Sequence, residues 1–187
     1  MKRRIALAAL VLLLVCGVAG GTTAYYTTTA QATNVITTGG IDVDLQEWAD
    51  EDGTPFEDVL GVLPGRSVTK IVTAKNIGPN EAWVRLRFEK SVQLAEGVEG
   101  EVDPALVELD LNTEDWIEKD GWYYYSQKLL PGEISPPLFT EVNFAEEMGN
   151  VWQGSTVTID VEMHAVQVAN NGVAVLEAAG WPEPMAE

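Results

Sequence analysis

The chain has one cysteine, Cys16, and one histidine, His164. A single cysteine excludes an internal disulfide framework, and so few Cys and His exclude a structural zinc site, which needs clustered ligands. No His-Glu-x-x-His sequence is present, so the helical zinc-protease site cannot form. A Ser-His-Asp triad would have to use His164. Basic residues are also scarce, with 11 Lys and Arg against 29 Asp and Glu and a formal net charge of -18. That balance excludes the Lys/Arg footprint that nucleic acid or an anionic membrane surface requires. It fits a soluble protein in an ion-rich exterior. Low-complexity linkers and internal repeats are lacking, and helical periodicity is rare.

The N-terminus has the layout of a secretory signal peptide. Lys2, Arg3 and Arg4 form a basic region, Ile5 to Val15 an apolar one, and small residues follow at Gly17, Ala19, Gly20, Gly21 and Ala24. The strongly apolar stretch ends at Ala19, short of the roughly 20 residues of a membrane span. Membrane contact is therefore expected only through residues 1–24 before cleavage between Ala24 and Tyr25. Cys16 reads as one more apolar residue; a lipid-modified cysteine would want a small residue where Val15 stands. Removing Lys2, Arg3 and Arg4 with no acid takes the charge from -18 to near -21 and leaves no cysteine. The remaining residues, 25–187, suffice for one domain held by its core, burying roughly 70% of its extended-chain surface.

Alternation of period two recurs. Ile41, Val43 and Leu45 alternate with Asp42, Asp44 and Gln46; Ala82, Val84, Leu86 and Phe88 alternate with Trp83, Arg85, Arg87 and Glu89. Leu138, Thr140, Val142 and Phe144 alternate with Phe139, Glu141 and Asn143; Ile159, Val161, Met163 and Ala165 alternate with Asp160, Glu162 and His164. These are half-buried strands of antiparallel sheet. Leu63-Pro64-Gly65-Arg66 and Leu130-Pro131-Gly132-Glu133 read as turns, and Asp120-Gly121 between Trp116-Ile117 and Trp122-Tyr123 as a hairpin. Asp103 to Leu109 and Val173 to Ala179 offer one or two short helices, and residues 181–187 a loose tail. The expected fold is all-β, an antiparallel jelly-roll-type β-sandwich.

Candidate sites are few. The strand phase puts His164 beside Asp160 and Glu162 on the polar face, so a solvent-facing histidine is expected rather than a general base. Asp42, Asp44, Asp50 and Asp52 are candidates for calcium, a hard cation that takes oxygen ligands. Their spacing is not that of an EF-hand loop, and the acid-rich segment from Gln46 to Leu60 reads equally as a solvated loop. Trp116, Trp122, Tyr123, Tyr124 and Tyr125 could stack on sugars, or divide between core and cross-strand ladder. The inventory leaves no catalytic residue and no cofactor beyond possible calcium, and no enzyme is expected.

Several stretches together resemble the TasA/camelysin family of exported matrix proteins. They are Gly20-Gly21-Thr22-Thr23-Ala24-Tyr25-Tyr26-Thr27, Ala32 to Val43, Val62 to Lys70, Lys75-Asn76-Ile77-Gly78, Ala82 to Leu86, Asp120 to Tyr125 and Leu130 to Glu133. The resemblance spans about Gly20 to Val168. It implies a jelly-roll sandwich cut by a dedicated signal peptidase and assembled into biofilm-matrix fibres. It also implies that one subunit donates its N-terminal strand to the next. The donor here would be Tyr25 to Thr38, with Tyr25, Tyr26, Thr27, Ala30, Ala32, Asn34, Val35 and Ile36 along it. The metallopeptidase label borne by some family members has no matching residues here.

The residues themselves agree with a strand. Tyr25 to Thr38 is rich in Thr, Tyr, Val and Ile, with no Pro and no charged side chain. Such a strand serves equally as the first strand of its own domain. Head-to-tail donation does not close and so gives filaments. Self-assembly, alone or with other matrix proteins, is the expected partnership, promoted by acid or calcium because both relieve repulsion among acidic subunits. The alternative is a monomeric cell-surface module binding glycan or calcium.

Overall fold

The computed structural model describes residues 34–38, 40–56 and 64–182. Among these residues, nine strands alternate between two sheets: β1 (Asn34–Thr38), β2 (Val43–Trp48), β3 (Ser67–Asn76), β4 (Ala82–Gln93), β5 (Val107–Leu109), β6 (Trp116–Lys119), β7 (Trp122–Tyr125), β8 (Phe139–Phe144) and β9 (Thr156–Gln167). One sheet has the order β1-β9-β4-β7-β6 and the other β2-β3-β8-β5. The all-β sandwich is thus the observed fold, and the chain changes sheet at six of its eight strand-to-strand connections. Every pair is antiparallel except β1 with β9, which run parallel. Among the described residues, helical structure is limited to three-residue 3-10 turns at Pro104–Leu106, Asn150–Trp152 and Val175–Glu177. Asp103 starts the first of these, accepting a hydrogen bond from the Ala105 N–H, with Pro104 at the position where a missing N–H costs nothing.

Period two decides which residues meet between the sheets. Val84 and Leu86 of β4 and Met163 and Ala165 of β9 are fully buried against Val72 and Ala74 of β3 and Phe139 of β8. Trp116 and Trp152 fill the same core. Each large apolar side chain buried this way stabilises the fold by about 1.5–3 kcal/mol. The β6–β7 turn is Asp120-Gly121, with φ of 54° and 77°. Positive φ at both positions is the primed turn whose twist suits a two-residue hairpin.

One alternation is broken. Phe139, in the outward phase by sequence, is buried with Leu138. The successive N–H groups of Thr140 and Glu141 both donate to Asp110 Oδ1, at 2.8 and 2.7 Å. Two neighbouring N–H groups aimed at one carboxylate mean that the pleat skips there, as in a β-bulge. Opposite, the β3–β8 register also shifts between Thr69 and Val72.

Candidate functional site

Two features of the five-stranded sheet stand out: its β9 edge and its covered outer face. At the edge, β1 pairs with β9 from Asn34↔Glu162 to Thr38↔Val166. β1 has five residues and β9 twelve. On its other side β9 pairs with β4 along its whole length, from Thr156↔Gln93 to Gln167↔Ala82. On the β1 side, the Thr156 to Val161 stretch has no strand partner among the described residues. A sheet edge is where an added strand can pair through backbone N–H and C=O groups. Asn34, Val35 and Ile36, expected in the donor strand, therefore lie in the protein's own sheet. The other candidates, Ala24, Tyr25, Tyr26, Thr27, Ala30 and Ala32, lie outside the described residues, as do residues 57–63 and 183–187.

The outer face of the same sheet is not open to water. Trp83 of β4, Trp122 and Tyr124 of β7 and Val166 of β9 form a second apolar cluster with Val175, Ala178 and Trp181 of the C-terminal segment. Four anchors hold that segment. Asn171 ties it together, donating to the Gln167 and Ala179 carbonyls and accepting from the Ala179 N–H. Trp83 Nε1 donates to the Asn171 carbonyl at 3.1 Å. Val175 is buried in the cluster. Arg85 Nη2 donates to the Pro182 carbonyl at 2.9 Å, with Trp181 stacked over its guanidinium.

His164 lies at the centre of this arrangement with no exposed surface. Its Nδ1 receives Arg85 Nε at 3.3 Å and Arg85 Nη2 at 2.9 Å. A guanidinium has only donors, so Nδ1 carries the lone pair and the imidazole is neutral. Nε2–H then donates to Glu162 Oε1 at 2.6 Å. Glu162 also pairs with Arg87. The ring stacks on Trp122, with centroids 4.4 Å apart. Burial pushes the His164 pKa below its ordinary value; Glu162 pulls it back only in part, while Arg85 and Arg87 add to the lowering.

This corrects the expectation of a solvent-facing histidine: the strand phase is as expected, but the face is covered. The signal for the cover was present. An outward phase that includes Trp83 and Val166 is too apolar to face water. The start of the expected loose tail differs too, because Trp181 and Pro182 are tied to Arg85.

The aromatic hairpin divides as core and ladder. Trp116, Trp122, Tyr124 and Tyr125 are buried, and Tyr123 stacks on Phe88 with centroids 5.6 Å apart. Asp42, just before β2, and Asp44 on it are exposed. Asp50 serves its own turn, accepting from the Asp52 and Thr54 N–H groups at 3.0 Å; hydrogen bonds from Thr54 hold its carboxyl below the usual range. Among the described residues, no three Asp, Glu, His or Cys side chains converge as a metal-binding group. Compared with family models, curated proteins and solved structures, the chain has no match.

Proposed function

We propose that the chain is an exported structural subunit of extracellular fibres, assembling head-to-tail when its N-terminal strand pairs with β9 of the next subunit. The observation that carries this is the parallel pairing of β1, at the N-terminal end of the described residues, with β9 of the five-stranded sheet. A donated strand that kept the β1 register would bring its Thr28 to Thr33 to Thr156 to Val161 of the next subunit, a stretch with no strand partner on that side among the described residues. Those donor residues are uncharged and free of Pro, so each has the backbone N–H that a ladder needs. Within one chain β1 pairs with its own β9; in the fibre the pair would form between chains. A heterologous contact of that kind propagates without closing. The role is structural, with no catalytic step.

The net charge of -18, nearer -21 after loss of residues 1–24, opposes close approach of subunits. Acid or divalent cations relieve that repulsion. Electron microscopy of the secreted protein from acid to mildly alkaline pH, with and without calcium, tests the reading. Fibres promoted by acid or calcium, and abolished by deletion of residues 25–38, are expected. Monomers under every condition, or fibres unchanged by the deletion, would overturn it.

A further inference from the structure

We propose that residues 171–182 form an acid-released strap over the outer face of the five-stranded sheet, held closed by neutral His164 acting through Arg85. The geometry is a relay. Arg85 lies between Trp122, 4.0 Å from its guanidinium, and Trp181, 4.8 Å away. The same guanidinium gives one N–H to the Pro182 carbonyl and two to His164 Nδ1. Arg85 therefore joins the strap to the sheet, and His164 holds Arg85 in place.

Protonation breaks this relay at a single atom. A proton on Nδ1 removes the only lone pair the ring offers Arg85, and sets an imidazolium against a guanidinium at 2.9 Å. The charges facing the ring then fail to balance. Among the described residues, the acid that meets the ring is Glu162 on β9, and the cations beside it are Arg85 and Arg87 on β4, with the Tyr124 hydroxyl of β7 accepting from Arg85. Neither Asn34–Thr38 of β1 nor Trp181-Pro182 of the strap brings a titratable side chain. With neutral His164 these side chains carry a net charge of about +1; protonation makes it +2, with the added charge on a ring that has no exposed surface, where unpaired charge is costly. Opening the strap lets solvent reach the imidazolium and relieves that cost.

The sign follows from linkage. The closed form disfavours the proton, so closure is strongest above the ordinary histidine pKa of about 6.5 and weakens as pH falls below it. The main sheet survives because its core lies on the opposite face, around Val84, Leu86 and Met163.

The test is fluorine NMR of the secreted protein labelled with 5-fluorotryptophan. As pH falls from 7.5 to 5, the Trp181 resonance should move toward the value of the free amino acid while Trp116 and Trp152 in the core stay fixed. In His164→Gln, whose amide can accept from Arg85 and donate to Glu162 without titrating, Trp181 should stay covered over that range. A Trp181 resonance that moves only together with Trp116 and Trp152, or moves alike in His164→Gln, would overturn the proposal. Should His164→Gln fail to fold, the ring nitrogen signals of His164 in Trp181→Ala decide. Its midpoint should rise toward the ordinary value once the strap is unlatched, and an unchanged midpoint would overturn the proposal.

Discussion

Arg85 gives two N–H groups to one ring nitrogen of His164 and thereby fixes that histidine as neutral. Its pKa is lowered, first by burial and further by Arg85 and Arg87. The folded state then binds fewer protons than the unfolded chain, so stability is full above about pH 6.5 and is lost as pH falls through the folded pKa. Urea midpoints at pH 7.5 and pH 5 should therefore drop more for the native protein than for His164→Gln. Equal losses would contradict the assignment. Asp110 does not confuse this window. Burial raises its pKa, but hydrogen bonds from the Thr140 hydroxyl and the Glu141 and Thr140 N–H groups outweigh that and leave it lowered. Its contribution is present above the ordinary carboxylate range and lost only in stronger acid.

Gly78 marks a close approach of two backbones. A Cβ there would meet the Asp42 nitrogen at 2.6 Å, while the Gly78 N–H donates to the Asp42 carbonyl at 2.9 Å and to Asn76 Oδ1 at 3.0 Å. Backbone atoms cannot rotate aside as a side chain can. Gly78→Ala should cost about 1–3 kcal/mol, read as a lower urea midpoint. A midpoint within error of the native protein would show that the 76–80 loop has slack.

Lys70 is buried at 1% exposure, paired with Glu47 at 2.8 Å and capped by the Phe56 ring at 4.3 Å. Both residues continue the core-facing phase of their strands, so a charge pair closes the end of an apolar row. Removing one partner strands the other. Lys70→Met should destabilise by about 3 kcal/mol, while the double change Lys70→Met with Glu47→Leu should recover most of that loss. Additive losses in the urea-unfolding cycle would show that the two charges act independently.

Much of the sandwich was legible in the sequence. The apolar phases of β2, β4 and β9 lie in the core as their alternation indicates, with Val43 and Leu45, Val84 and Leu86, and Met163 and Ala165 all there. The Asp120-Gly121 hairpin was legible because two positive φ angles leave few residue choices. Val173 to Ala179 shrank from a helix to the 3-10 turn Val175–Glu177. What escaped the strand pattern depends on distant residues. Phe139 is turned inward where Asp110, 29 positions earlier, gathers two successive N–H groups of β8. His164 is buried under Trp122 and Arg85, and Arg85 is in turn covered by Trp181 and Pro182; no local period in β9 reveals that cover. The parallel setting of β1 on β9 joins residues 128 positions apart, as Asn34↔Glu162 shows. Composition named the strand but could not give its direction.

The central claim is that β1 leaves its own β9 to pair with another, and a covalent lock at the end of that pair tests it most directly. Thr38 and Val166 are register partners, close enough for a disulfide once both are cysteine. Thr38→Cys with Val166→Cys should assemble like the native protein when reduced. Oxidised as a monomer, it should remain monomeric by electron microscopy and sedimentation under conditions that give fibres, and recover fibre growth on reduction. Fibres that grow as readily with the intrachain disulfide closed would contradict strand exchange.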